Sequence, residues 1–240
     1  MTAVLFIHGF PFDHQMWRHQ IAALTGWRCV APDLLGAGSR PGPAAPGAFS
    51  MSAYADDLIG RLDQLEIDAT VVCGLSMGGY VVFELLRRFP NRIRAAVLCH
   101  TKATADTPEA RHARDALAAR AKKEGAGAVT RELIPKLLAP TTGAEIAREV
   151  TTMIQRQPIA GIVGALRALR DRPDSRPLLS QIRVPVLVVA GDADQIAPAT
   201  GMEEMAGAIP GARFVVIPGS GHLSPLEQPG AFNDALSAFL

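Results

Sequence analysis

The stretch "VVCGLSMGGYVVFELL", Val71 to Leu86, decides how the chain is read. A β-branched apolar run stops at one serine held between glycines, and a helical pattern begins at once. Ala69 to Cys73 (ATVVC) reads as a short buried strand. From Tyr80 onward, the spacing of Val81, Phe83, Leu85, Leu86 and Phe89 fits a buried helix. Gly74, Gly78 and Gly79 bracket the junction, as a tight strand–turn–helix corner requires where a Cβ would strike the neighbouring elements. Ser76 is therefore displayed at a corner rather than packed in a wall.

Outward from this corner, strand candidates alternate with helical segments. The strands are AVLFI (3–7), RCVA (28–31), ATVVC (69–73), AAVLC (95–99), VPVLVVA (184–190) and ARFVVI (212–217). Most are near-continuous apolar runs, the pattern of strands covered on both faces. Helices are expected near 14–24, 51–65, 77–89, 199–208 and 227–239. The alternation predicts an α/β fold with a mostly parallel sheet and helices on both faces. From Thr101 to about Ser180 no strand is legible. This Ala-, Arg- and Leu-rich segment is too long for one crossover and is expected to be a helical cap insertion (101–180), with 1–100 and 181–240 forming the core. "GAGSRPGPAAPG" (36–47) reads as an exposed Gly/Pro loop.

Composition narrows the class. The 240 residues, 48% hydrophobic, can bury one full core. With 24 basic and 23 acidic residues, the net charge of +1 gives no footprint for nucleic acid or a polyacidic partner. Cys29, Cys73 and Cys99 lie in or beside strand-like runs, make no metal-type spacing and are expected to be buried free thiols. No signal peptide is legible and no apolar run reaches the ~18 residues of a membrane helix, so the expectation is a cytoplasmic protein with no membrane partner.

Gly74-Leu75-Ser76-Met77-Gly78 matches G-x-S-x-G, the nucleophile elbow, in the strand-then-helix context that motif demands. The Met77 N–H at the start of the helix can face a developing oxyanion. A serine hydroxyl needs a base, and chain order in the elbow fold is Ser, acid, His. His112 falls among charges in the helical segment. His100 ends a strand with no acid-bearing strand between it and Ser76. His222, in the Gly-rich turn "VVIPGSGHLSP" after the last strand, is the expected base. The preceding strand ends in "VLVVAGDADQIAP", which offers Asp192 and Asp194; spacing alone leaves the two open. "FIHGFPFD" after the first strand lets backbone approach at Gly9 and offers the Phe10 N–H as a second oxyanion donor, with His8 a structural residue.

"FIHGF", "APDLLGAGSR", "GLSMGGY", "GDADQIAP" and "GSGHLSPLEQP" occur in the order of the α/β-hydrolase superfamily. The chain resembles its short-capped bacterial esterase and enol-lactonase-like members. That resemblance implies Ser76 as nucleophile, Asp194 as acid, His222 as base, and Phe10 and Met77 as oxyanion donors that also line the substrate site. It selects Asp194 through the G-x-x-D-x-x-x-P pattern and makes Asp33 a structural aspartate. Family members usually begin with two antiparallel strands. Here that N-terminal strand pair is missing, so 28–31 should form a sheet edge, which pairing in a homodimer would cover. Arg18 is the one candidate for binding a substrate carboxylate, although a solvated helix face explains it as well.

The expected activity is hydrolysis of a small carboxylic ester or lactone through an acyl-enzyme, with no metal and no cofactor. The same triad would also serve a perhydrolase or C–C bond hydrolase. A lyase or a non-catalytic ligand-binding protein on this fold are the readings from other classes.

Overall fold

The structure is a computed structural model that describes residues 3–43 and 48–240. Six strands form one sheet: β1 (Ala3–Ile7), β2 (Arg28–Val30), β3 (Thr70–Leu75), β4 (Ile93–Cys99), β5 (Val186–Gly191) and β6 (Arg213–Ile217). They lie in the order β2-β1-β3-β4-β5-β6. Every pairing among the described residues is parallel, where a mostly parallel sheet was expected. β1 and β3 are buried along their whole length, which their unbroken apolar runs require. β2 is the predicted edge, and its residues are exposed or half-buried. Cys29 lies on that edge and is half-buried, against the expectation of a buried thiol; Cys73 and Cys99 are buried and free.

α1 (Arg18–Ala23) and α11 (Pro229–Phe239) pack together, as do α2 (Met51–Gln64) and α3 (Met77–Arg88). The chain leaves β1 toward β2, then returns past β1 to β3, so right-handed crossovers place α1 and α2 on opposite faces. Helix boundaries differ at two places. The first predicted helix opens with a 3₁₀ turn, His14–Trp17, capped by the Asp13 side chain. The last is broken at Gln228, between the short α10 (Ser224–Glu227) and α11. Trp17 fills the core under α1, 5.1 Å from the Phe6 ring and 6.1 Å from that of Phe232.

Between β4 and β5 the chain makes four long helices, α4 (Pro108–Glu124), α5 (Ala126–Leu137), α6 (Ala144–Gln155) and α7 (Ile159–Arg170), and a short α8 (Arg176–Leu179). α9 (Ala199–Gly207) links β5 to β6. Buried polar groups tie this helical insertion to the sheet. The Asp13 carboxylate accepts two bonds from the Arg156 guanidinium, both 2.8 Å, and one from Gln157 Nε2 at 2.9 Å. At the neck, buried Arg172 donates to Asp106 Oδ1 (2.6 Å) and to the Thr104 carbonyl, and stacks over the Tyr80 ring at 4.3 Å.

Of the predicted exposed loop 36–47, residues 44–47 lie outside the described residues. Ser39, Pro41 and Gly42 are exposed as expected, but Gly36 is buried against α7, because the two segments each have a glycine where they meet. A methyl group added at Gly161 would fall on the Gly36 carbonyl oxygen. Gly161→Ala should therefore lower stability by about 1–3 kcal/mol, seen as a fall in Tm of roughly 2–10 °C. An unchanged Tm would show that α7 does not rest on this loop.

Candidate active site

The carboxyl ends of β1, β3, β5 and β6 carry Phe10, Ser76 with Met77, Asp194 and His222. The sheet's topological switch lies between β1 and β3, where crevices at strand ends form. Ser76 sits at φ 54°, ψ −110°, a strained conformation for a residue with a side chain. Its surroundings fix it there. The Ser76 N–H donates to the Cys99 carbonyl at 2.8 Å, and its own carbonyl accepts from Gly79 N and Thr101 Oγ1, each at 2.9 Å. A side chain at Gly78 would strike the Ile7 carbonyl, so the first turn of α3 runs directly against the end of β1.

Met77 is the first residue of α3, where a helical N–H has no partner within the helix and the helix dipole is positive. Neither the Met77 nor the Phe10 N–H donates to another described residue. Buried His8 shapes the Phe10 loop: its Nδ1–H donates to the Gly9 carbonyl at 2.9 Å and its Nε2 accepts from Leu34 N at 2.9 Å. The bond accepted at Nε2 requires the neutral ring, and burial pushes the His8 pKa down accordingly. Asp33 accepts from His14 N and Nδ1, at 2.9 and 2.7 Å.

Asp194 and His222 meet. The His222 Nδ1–H donates to Asp194 Oδ2 at 2.8 Å, leaving Nε2 as the nitrogen able to take a proton. Asp194 Oδ1 accepts from Ile196 N (2.8 Å) and Ala197 N (2.9 Å). Burial alone would raise the Asp194 pKa; the charge of His222 and hydrogen bonds from both His100 and His222 outweigh it and hold the carboxyl far below the usual range. Asp192 instead accepts from Gly219 N (3.0 Å) and Ser220 N (3.2 Å), shaping the turn that carries His222. The two aspartates left open by spacing are thus separated by their partners. Ser76 Oγ makes no hydrogen bond to His222 or any other described residue; such contacts are often long without substrate.

Arg18 pairs with Glu149 on the surface, and His112 is exposed; neither joins the site. Two residues that join it were not foreseen. His100 reaches Asp194. Glu227, in "GSGHLSPLEQP", turns its buried carboxylate toward Gly221 N and Leu223 N on either side of His222 (both 3.0 Å), and toward Ala139 N (2.8 Å) and Thr142 Oγ1 (2.5 Å) after α5. His222 N itself donates to the Leu137 carbonyl at 2.7 Å. The loop bearing the histidine is therefore held jointly by α10 and by the insertion.

A narrow cavity of about 20 Å³ opens on Gly9, Phe10 and Met77; Ile162 and Ala165 of α7, Tyr54 and Gln157 complete its wall. Among the described residues, no arginine or lysine lines it.

Over residues 2–229 the chain matches the sequence model of the alpha/beta hydrolase fold. It belongs to that family. A thermophilic esterase from Thermogutta terrifontis, solved with malate bound, is 39% identical with a TM-score of 0.96, over 99% of this chain and 89% of that one. The enol-lactonase from Burkholderia xenovorans LB400 is 28% identical with a TM-score of 0.89, over 99% and 90% of the two chains. The 3-oxoadipate enol-lactonase 1 of Acinetobacter baylyi is 30% identical, over 99% of this chain and 88% of that protein. With these neighbours, this α/β-hydrolase family member is an enzyme of the hydrolase class.

Glu227→Gln places an amide NH₂ against N–H donors and leaves at least one buried group unpaired, at about 1–3 kcal/mol per group. Calorimetry should show a lower Tm, and any hydrolysis the wild type supports should weaken with it. Wild-type values for both would mean the carboxylate does not hold the loop.

Proposed function

We propose that this hydrolase cleaves small carboxylic esters through an acyl-enzyme formed on Ser76. The observation that carries the reading is the Asp194–His222 hydrogen bond of 2.8 Å at the strand ends where the strained Ser76 corner also emerges. In the first half-reaction, Ser76 Oγ attacks the carbonyl carbon and His222 Nε2 takes its proton. Asp194 keeps the imidazole in the Nδ1–H tautomer and stabilises the imidazolium. The oxyanion is received by the Phe10 and Met77 N–H groups, each worth about 3 kcal/mol in such sites. His222 then gives its proton to the leaving alkoxide. A water, deprotonated by His222, then attacks the acyl carbon; the bond to Ser76 Oγ breaks, and His222 returns the proton to that oxygen as the acid leaves.

Ester is favoured over a carboxylate-bearing lactone by the absence of arginine and lysine from the cavity wall and by the pairing of Arg18 with Glu149. The apolar side chains of Phe10, Met77, Ile162 and Ala165 on the cavity wall favour an apolar acyl group, and the α4–α7 insertion serves as the cap that supplies Ile162 and Ala165.

Ser76→Ala should abolish both p-nitrophenyl acetate hydrolysis and fluorophosphonate labelling. Retention of either would remove Ser76 from the reaction. Asp194→Asn should lower kcat by about 10⁴-fold. The rate should also fall in acid, because a protonated His222 cannot accept the serine proton; a flat profile from pH 5 to 9 contradicts this. Ile162→Ala should enlarge the cavity and raise the butyrate-to-acetate ratio of kcat/KM by up to about tenfold. An unchanged ratio would place the acyl group elsewhere.

A further inference from the structure

We propose that His100, set by Ser224, is a positioning residue that holds the oxygen of Asp194 used by His222 and draws part of its hydrogen-bonding capacity away from that base. The inference rests on the triad reading above.

Two imidazoles converge on one oxygen. The His100 Nδ1–H donates to Asp194 Oδ2 at 2.9 Å, and the His222 Nδ1–H reaches the same oxygen at 2.8 Å. The rings stand edge-to-face with centroids 5.5 Å apart. Because a carboxylate only accepts, the hydrogen of His100 must sit on Nδ1. Its Nε2 then accepts from Ser224 Oγ–H at 2.6 Å. Ser224, His100 and Asp194 thus form a second Ser-His-Asp chain, but Ser224 and His100 are both fully buried, so this serine meets no substrate. Its hydroxyl instead fixes the tautomer that points a donor at Asp194.

The ring is neutral. Burial pushes the His100 pKa down, and the nearby His222 adds to that, against the opposing charges of Asp194 and Glu227. Lys102 and Tyr80 also lie close enough to feel the charge of Asp194. His100 is held at φ 50°, a second strained strand end beside that of Ser76, so its backbone too is fixed by its surroundings.

A shared acceptor oxygen binds each donor less strongly than it would bind one alone. As His222 takes up a proton, its bond to Oδ2 must strengthen against the standing bond from His100. Loss of the His100 donor would leave Oδ2 to His222, favour the imidazolium and make His222 easier to protonate.

The test compares wild type with His100→Leu, which removes the donor at similar bulk, His100→Asn, whose amide NH₂ can occupy the Nδ1 position, and Ser224→Ala. Two quantities are read: the acid limb of kcat/KM against pH, and the pH titration of the His222 ring by NMR. In His100→Leu both should move up by roughly half a unit to one unit, a 3- to 10-fold change in proton affinity. His100→Asn should stay near wild type. Ser224→Ala should move up by less, since its hydroxyl only sharpens the donor. Coincidence of His100→Leu with wild type, or a downward shift, overturns the proposal. If His100→Leu does not fold, Ser224→Ala decides by the same criterion. The NMR titration needs no turnover: a shifted His222 titration in a protein that neither labels nor hydrolyses esters would sink the Ser76 acyl-enzyme reading and leave this one standing.

Discussion

The Asp194 carboxylate carries a charge inside the protein, and the geometry around it answers the question of how that charge is kept. A buried carboxylate without partners would protonate or destabilise the fold. Here two backbone N–H groups hold one oxygen and two imidazole N–H groups hold the other. The partners come from the loop after β5, from the end of β4 and from the turn after β6. Each strand must end in register for the carboxylate to be satisfied, so the charge constrains the sheet as much as the sheet positions the charge.

Other buried carboxylates extend the pattern to the insertion. Asp13 joins the loop after β1 to the end of α6 through Arg156 and Gln157. Glu227 joins the His222 loop to the turn after α5. In both, an acceptor on the core side collects donors from the insertion. Removing a donor would strand a buried charge, which costs more than the loss of an ordinary contact. The loops that carry Phe10 and His222 are in this way fixed from both sides of the cleft.

Much of this was legible in the sequence. The apolar runs of β1 and β3 and the G-x-S-x-G corner between β3 and α3 gave the sheet and the elbow, because strand burial and turn geometry act over a few neighbouring residues. What escaped was the long-range polar pairing. His100 was set aside as a base because chain order forbade it, and nothing local shows that the end of β4 lies beside the loop after β5. Glu227 reads as one more acid in a short helix until the fold brings Gly221 and Ala139 to it. Spacing alone left Asp192 and Asp194 open, and the family pattern rather than local physics selected Asp194, because the choice depends on which loop each one faces. The half-buried Cys29 and the burial of Gly36 were missed for the same reason: burial at a sheet edge or under another helix is decided by what arrives from elsewhere in the chain.

The neck of the insertion has a consequence for how this chain can vary. Ser175 N donates to the Ala103 carbonyl at 2.7 Å, and Arg172 bonds the Thr104 carbonyl, so the segment leaves and re-enters the sheet at nearly one point. Bringing loop ends together grows only slowly more demanding with length, roughly 0.6 kcal/mol per doubling. The sheet registers with itself whatever hangs from that point. Segments of other lengths can be grafted between Ala103 and Ser175 with the strands left in place, provided they again supply donors to the buried carboxylates of Asp13 and Glu227, so the roof over the cleft is exchangeable and its polar anchors are constant.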